Sequence, residues 1–256
     1  MKKSLIALAL VGAFAAPAFA EEAAAPASEH TITGNLGLFS SYRFRGIDQT
    51  FGKPALQGGF DYSHASGFYV GNWNSNVSQT AGFPDGNLEM DFYAGYKTTF
   101  GDFGLDVGGL YYYYPGSRGQ TLGLNRGAVD NGELYIAGTW QFLTLKYSHA
   151  VTDYFGAKDT DGTGYLELNA AYDLGNGWGV NGHVGHLYAH NMPSAADYTD
   201  WKLGVTKDIG GFVFGLSYVD TNADKAFYTS SPAMHSGGDT KNLGRGTAVL
   251  SVSKTF

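Results

Sequence analysis

The amino-acid sequence predicts an all-β chain that closes into an up-and-down antiparallel transmembrane β-barrel of twelve strands. Three observations support this fold class. Apolar and polar residues alternate along the chain after the first thirty residues, which is the pattern of strands with two different faces. The connections between the alternating segments are short and long in turn. Charged residues make up only 15% of the sequence, whereas an average soluble domain has roughly 25%, and 38 glycines, 18 tyrosines and 17 phenylalanines are present.

The first twenty residues have the organisation of a secretory signal peptide. Lys2 and Lys3 form a positive start, Leu5–Ala16 is apolar, and Ala18-Phe19-Ala20 provides an A-x-A site with cleavage after Ala20. A membrane-anchoring helix is the alternative, but the apolar stretch is too short for it. We expect residues 21–30 to form a flexible lead-in and residues 31–256 to form the barrel.

The charge balance excludes one class of partner. Removing residues 1–20 takes away two lysines and no acid, which leaves 14 basic and 23 acidic residues and a formal charge of −9. A net-acidic exported chain argues against nucleic-acid binding, because phosphate backbones are bound by basic surfaces. The chain has no cysteine, so disulfides and thiolate metal sites are excluded.

Twelve segments have the alternation of strands, and most are close to the 9–11 residues that cross a bilayer at a tilt. They are residues 32–45, 55–63, 68–77, 88–98, 103–114, 133–140, 143–151, 165–174, 178–188, 199–207, 212–220 and 247–256.

The distribution of charge between the two faces of these strands favours a lipid-facing exterior. On the apolar faces, charges occur only near strand ends, at Lys207, Asp220 and Lys254. A lysine or arginine on a lipid-facing surface costs roughly 2–4 kcal/mol at the bilayer midplane and about 0–1 kcal/mol at its edges. A soluble sandwich has no comparable reason to confine charges to strand ends.

The connections and the aromatic residues fit a barrel with both termini in the periplasm. Five short turns and six long loops are what twelve strands require in that orientation. Aromatic residues cluster at the predicted membrane interfaces, where their amphipathic rings suit the headgroup level. On the loop side these are Tyr42, Phe44, Tyr111, Tyr113, Tyr188, Trp201 and Tyr218, and on the turn side Tyr62, Tyr96, Phe103, Trp140, Trp178, Phe212 and Phe256.

Three motifs in the first third of the mature chain resemble a known family. They are Tyr42–Gly46 (YRFRG), Lys53–Phe60 (KPALQGGF) and Gly67–Trp73 (GFYVGNW). Together they look like the signatures of the TorF family of outer-membrane porins. The resemblance implies an outer-membrane barrel of a Gram-negative bacterium with a transport role. It brings no established substrate and no catalytic residues.

Several local motifs resemble known functional sites. Phe256 ends an alternating strand, which is similar to the signal that the outer-membrane assembly machinery reads. Asp159–Gly164 resembles part of a calcium loop, but Ala170 occupies the position of the required bidentate carboxylate. Gly177–Gly182 matches G-x-G-x-x-G but opens a strand rather than a helix. His183 and His186 point to opposite faces, so we expect no metal site and no cofactor.

The polar faces predict a lumen lined by charged side chains. These are Arg43, Arg45, Asp61, Glu89, Asp91, Lys97, Asp106, Glu133, Lys146, Glu167, Asp200 and Lys202. The prediction is a porin-like channel for small polar solutes or ions, weakly cation-preferring because acids outnumber bases. Glycines of the same parity are expected to free lumen space, at Gly37, Gly59, Gly95, Gly104 and Gly108. Alternatively, the charges pair and close the lumen, or a loop such as 115–132 folds inward.

The sequence is also compatible with two other function classes. One is a structural or adhesive barrel without a pore. The other is a lipid-modifying enzyme, which would need a serine and a histidine on the lipid face. Ser148 and His149 are neighbours on a strand and so face opposite ways, and we therefore predict no enzyme. The expected partners are outer-membrane lipids with lipopolysaccharide, the assembly machinery and small polar solutes, and the expected state is a monomer.

Overall fold

The computed structural model describes residues 28–83, 86–117, 128–230 and 238–256. The predicted signal peptide, its cleavage site at Ala20 and most of the lead-in lie outside these ranges. Within them, no helix is long and apolar enough to cross a membrane.

Twelve long strands form one closed antiparallel barrel, as the alternation predicts. Each pairs with its neighbours along the chain, and the first pairs with the last. The strands are β1 (His30–Phe39), β4 (Ala55–His64), β5 (Phe68–Asn76), β6 (Leu88–Phe100), β7 (Phe103–Tyr113), β8 (Asn131–Trp140), β9 (Leu143–Ala150), β10 (Gly164–Gly175), β11 (Trp178–Tyr188), β12 (Tyr198–Ile209), β13 (Phe212–Thr221) and β16 (Thr247–Thr255).

Four further strands of two residues each form small ladders in two of the loops. In the first loop β2 (Arg43–Phe44) pairs with β3 (Ile47–Asp48), and in the last loop β14 (Thr229–Ser230) pairs with β15 (Lys241–Asn242). The described loops also contain three single-turn 3₁₀ helices, at Gln79–Ala81, Tyr154–Gly156 and Ser194–Ala196.

One strand prediction is wrong at its end. The first strand was expected to run from 32 to 45, but β1 stops at Phe39 and residues 40–54 turn into the barrel. Tyr42 and Phe44 therefore belong to the interior and not to the aromatic belt: Tyr42 is fully buried and Phe44 packs against the buried cluster. The parity of 40–45 still alternates, which is why the sequence pattern does not reveal the end of the strand.

The outer surface of the barrel is apolar on every strand. Large hydrophobic side chains protrude from all twelve, and Ile32, Phe60 and Leu203 are 75%, 69% and 65% exposed. Leaving a side chain of this size in water rather than burying it costs about 1.5–3 kcal/mol. Such a continuous belt is the surface of a barrel surrounded by hydrocarbon.

The two ends of the barrel differ. The turns at 65–67, 101–102, 141–142, 176–177 and 210–211 define the short-turn end, where β1 begins and β16 ends. The opposite end, the long-loop end, carries the connections 40–54, 77–87, 114–130, 151–163, 189–197 and 222–246. This alternation is the one that the sequence predicts.

The β1–β16 seam closes the ring. Its ladder has five pairs, from Asn35 with Thr255 to Phe39 with Ser251. Phe256 extends it: its N–H donates to the Gly34 carbonyl at 2.8 Å, and the Gly34 N–H donates to the Phe256 carbonyl at 3.1 Å. The terminal residue is therefore part of the seam, with a ring that is 71% exposed on the outside.

Deleting Phe256 is expected to lower the yield of inserted barrel several-fold without reducing secretion, because secretion precedes seam closure. The measurement is the amount of heat-modifiable protein in the outer membrane, compared with the total exported protein. Phe256→Tyr is the matched control, since it keeps the aromatic ring and both backbone hydrogen bonds. Equal yields for the deletion and the wild type would show that the terminal aromatic residue has no special role in assembly.

Candidate functional site: the barrel interior

A hairpin from the first loop enters the barrel at the long-loop end. We call residues Arg43–Asp48 the inner hairpin. Its two turn residues both have positive φ, +47° at Arg45 and +80° at Gly46, which is the backbone of a type I′ turn. A Cβ on Gly46 would overlap the side chains of Asp200 and Thr221. Glycine is therefore required at the tip by both the turn and the contact with the opposite wall.

Arg45 anchors the inner hairpin to the barrel wall. Its guanidinium binds the carboxylate of Glu133 on β8 with two hydrogen bonds, of 3.0 and 2.8 Å. It also donates to the Tyr154 hydroxyl at 3.0 Å and lies 4.3 Å from the centre of the Tyr165 ring. Burial acts to lower the pKa of Arg45, but the interactions with Glu133, Tyr154 and Tyr112 together outweigh it and the pKa is raised. The anchor is a bidentate ion pair whose two side chains are only 7% and 2% exposed.

A second ion pair holds the base of the inner hairpin. Asp48, which is completely buried, lies 2.8 Å from Nζ of Lys241 and 3.5 Å from a guanidinium nitrogen of Arg43. Arg43 also donates to the backbone carbonyls of Leu243 and Arg245, both at 3.1 Å. The first and last loops are thus tied together across the mouth of the barrel.

Aromatic and hydroxyl contacts complete the packing of this segment. The Tyr42 hydroxyl donates to Glu89 on β6 at 2.9 Å, and burial, followed by the nearby Glu89 charge, raises the pKa of Tyr42. Phe44 meets Tyr112 of β7 and Phe155 of a neighbouring loop edge-on, at 5.4 and 5.7 Å between ring centres. Segment 40–54 therefore contacts strands on several sides of the barrel and narrows its mouth.

Burial of the inward-facing residues changes along the barrel axis. Near the long-loop end the inward residues are buried, among them Glu89, Asp91, Glu133, Lys146 and Asp200. Near the short-turn end the inward positions are small or polar and partly accessible, for example at Asn35, Asp61, Lys97, Asp106, Thr139, Ser217 and Ser253. The inward-facing side chains are thus more accessible towards the short turns and buried beneath segment 40–54.

Tyrosines lie flat against glycines on the inner wall. A Cβ on Gly71 would overlap the ring of Tyr93, and a Cβ on Gly95 would overlap that of Tyr69. In the same way Gly108 lies beneath the ring of Tyr135. The expectation that Gly95 and Gly108 free lumen space is therefore wrong, because cross-strand rings occupy that space.

These wall tyrosines present their hydroxyl groups to acids. Tyr93 donates to Asp61 at 2.5 Å, and Tyr69 donates to Asp106 at 2.6 Å while bonding the Tyr135 hydroxyl. Both carboxylates of this wall thus accept a hydrogen bond from a tyrosine hydroxyl of another strand.

A polar network lines the wall formed by β9 to β12. His183 lies 2.9 Å from Asp200 through Nε2 and 3.5 Å from Glu167 through Nδ1. The Tyr165 hydroxyl donates to Asp200 at 2.7 Å. Lys146 stands opposite Glu167 in the β9–β10 register. This wall carries acids and bases side by side.

Ten of the twelve charged residues predicted to line the lumen lie on barrel strands with the parity opposite to the apolar belt. They are Asp61, Glu89, Asp91, Lys97, Asp106, Glu133, Lys146, Glu167, Asp200 and Lys202. Arg43 and Arg45 are also inside, but on the inner hairpin and not on β1, which corrects their predicted position. In the structure Arg45 forms an ion pair with Glu133, and Nζ of Lys97 lies 3.7 Å from the carboxylate of Asp106.

In the described part of the chain, a segment that the sequence did not suggest folds inward. Residues 115–132 were the candidate, and 118–127 of these lie outside the described residues. The inward segment in the described structure is 40–54. The interior roles of Gly46, Asp48 and Tyr42 do not follow from the sequence pattern. The one local signal for a turn in this segment is the Arg45-Gly46 pair, because glycine readily adopts positive φ.

The arrangement of Ser148 and His149 does not support the alternative of a lipid-modifying enzyme. Ser148 faces the interior and is buried, whereas His149 is exposed on the outside, where its Nδ1 lies 3.4 Å from the Tyr147 hydroxyl. These two side chains are on opposite sides of the wall, so they form no nucleophile–base pair.

Comparisons with known proteins give one family and several structural relatives. The model of a family described as a bacterial protein of unknown function (Gcw_chp) matches residues 23–256. No curated protein sequence matches the chain. Among solved structures, the KdgM porin matches with a TM-score of 0.52 and 8% identity, covering 88% of this chain and 97% of its own. The KdgM porin in complex with disordered oligogalacturonate matches with the same TM-score, identity and coverage. At this identity the likeness establishes the barrel fold.

Proposed function

We propose that this chain, which belongs to the Gcw_chp family, is a porin-like channel of the outer membrane that passes small polar solutes or ions. The observation that carries the proposal is the contrast between an apolar exterior and an interior lined with charged and polar side chains along its length. The shared fold with the KdgM porin supports it. The family name TorF, suggested by three motifs, remains a prediction, as does export by residues 1–20.

The channel in this proposal is narrowed by segment 40–54 at the long-loop end. In barrels with short periplasmic turns and longer outer loops, the long-loop end faces outward. A solute entering from outside would then meet the inner hairpin first and the more open cavity afterwards. The ion pairs Arg45–Glu133 and Asp48–Lys241 hold the narrowing element in place.

Weak cation preference is part of the proposal. Among the twelve charged residues predicted to line the lumen, seven are acidic and five are basic. Two of these carboxylates, Asp61 and Asp106, face the more accessible part of the interior near the short-turn end. The field inside a narrow, low-dielectric channel is focused, so a small excess of negative charge attracts cations. A cation preference would distinguish this chain from the KdgM porin, whose complex contains oligogalacturonate, an acidic sugar chain.

The expected result in a planar bilayer is a steady, small single-channel conductance with a reversal potential on the cation-selective side in a KCl gradient. Asp61→Asn with Asp106→Asn should move that reversal potential towards zero, because it removes two carboxylates that face the more accessible part of the interior while keeping side-chain size. The matched control is Asp102→Asn in an exposed short turn, which should leave the reversal potential unchanged.

Complete electrical silence of a correctly folded barrel would overturn the channel proposal and favour a structural barrel. A lipid-hydrolysis assay on the same preparation then distinguishes a structural barrel from an enzyme. Recovery of the mature protein as a soluble periplasmic species would contradict the proposed location.

A further inference from the structure

We propose that the outer rim of the short-turn end carries a divalent transition-metal site formed by Glu29, His30 and His64. One ligand atom from each of the three residues lies within 4.8 Å of the others. The site is on the outside of the barrel wall and is independent of the proposed channel.

The barrel register brings the two histidines together. His30 is the first residue of β1 and stands directly opposite His64, the last residue of β4. Residues directly opposite on antiparallel strands project to the same side of the sheet, and the two ring centres are 5.1 Å apart. The pair is thus placed by the barrel ladder and not by a loop.

Glu29 is fixed beside this pair by the backbone. Its carbonyl accepts a hydrogen bond of 2.9 Å from the Ala65 N–H in the turn that follows His64. Its carboxylate Oε1 lies 3.7 Å from Nε2 of His64. The carboxylate therefore reaches the histidines although the side chain is mostly exposed.

Each imidazole has a partner on its other nitrogen. Nδ1 of His30 is 2.8 Å from the Tyr62 hydroxyl, and Nδ1 of His64 is 2.8 Å from the Ser66 hydroxyl. Metal-binding histidines are typically oriented in this way by a hydrogen bond to the nitrogen that does not bind the metal. The arrangement leaves Nε2 of both rings for a metal ion.

Two imidazoles and one carboxylate suit Zn²⁺ and similar first-row ions, with a fourth position left for water. Around a tetrahedral zinc, nitrogen and oxygen ligands bound at about 2.0 Å lie about 3.3 Å from one another. The ligand atoms lie within 4.8 Å of one another, so side-chain rotation must bring them closer to bind an ion. A bound ion would tie the segment before β1 to the end of β4.

The refolded wild-type barrel is titrated with Zn²⁺ in detergent, and binding is measured by calorimetry. The unfolding temperature is measured with and without Zn²⁺. We expect one saturable ion per chain and a rise in unfolding temperature, because an ion that binds only the folded state stabilises it. His64→Ala and Glu29→Gln should each weaken binding at least ten-fold. His149→Ala is the matched control, since it removes an exposed outward histidine that lies outside the proposed site.

All four proteins must first show the same heat-modifiable migration on a gel, so that a lost barrel is not mistaken for a lost site. No saturable binding to the wild type would overturn the proposal. Equal affinities for the wild type and His64→Ala would also overturn it, and so would an equal loss in His149→Ala.

Discussion

Replacing Arg45 with alanine is expected to raise the single-channel conductance several-fold. The substitution removes the bidentate anchor to Glu133 and leaves that carboxylate buried without its cation. Breaking a buried ion pair by removing one partner costs about 3–5 kcal/mol. Among the described residues the inner hairpin pairs with no barrel strand. The cost is therefore relieved by moving the hairpin away from the wall, which widens the mouth. The measurement is conductance in a planar bilayer.

Two companion variants separate the opening from general damage. Arg245→Ala removes an exposed arginine at the same end of the barrel and should leave conductance unchanged. Arg45→Ala combined with Glu133→Gln removes the buried unpaired charge as well. It should recover thermal stability relative to Arg45→Ala alone while the conductance stays high. Unchanged conductance in Arg45→Ala, with the barrel intact, would show that the anchor does not hold the narrowing element.

Replacing Gly46 with valine should open the same mouth by a different route. Valine at φ +80° is strained, by roughly 1–2 kcal/mol for the left-handed backbone alone, and its side chain would overlap Asp200 and Thr221. Both effects push the tip of the inner hairpin off the β12–β13 wall. We expect a several-fold larger conductance with little change in the yield of folded barrel.

Gly211→Val is the matched control for this substitution. Gly211 has a similar φ of +82°, but it lies in a short turn, and a Cβ there would come no closer than 3.9 Å to the Lys254 side chain. This variant carries the same backbone strain without touching the interior. If Gly211→Val raised conductance as much as Gly46→Val, the effect would come from destabilisation and not from the hairpin.

The barrel wall could be predicted from the sequence because each strand has two faces in different surroundings. Val107 and Asp106, next to each other on β7, show the principle: the apolar residue is exposed to the outside and the acid faces Lys97 inside. Apolar and polar residues therefore alternate with a period of two along each strand, and turn-forming residues follow at the strand ends. The twelve strands therefore follow from local pattern.

The contents of the barrel could not be predicted in this way. The pairing of Arg45 with Glu133 joins residues that are far apart in sequence, and no local period encodes it. Residues Tyr42–Arg45 alternate as a strand does. The alternation therefore does not reveal that the chain turns inward after Phe39. The fit of Tyr93 over Gly71 likewise depends on which strands are neighbours.

The β1–β16 seam has a consequence for the order of folding. Adjacent strands are joined by turns of two or three residues at the short-turn end, so their pairing loses little chain entropy. The seam joins the two ends of the described chain, and the entropy lost in closing a loop grows with its length. Hairpins can therefore zip together first, and the ring closes last. Until then β1 and β16 are unpaired edges. The inner hairpin reaches Glu133 on β8 and Asp200 on β12 only when the wall has curved round to meet it, so the interior is completed after the wall.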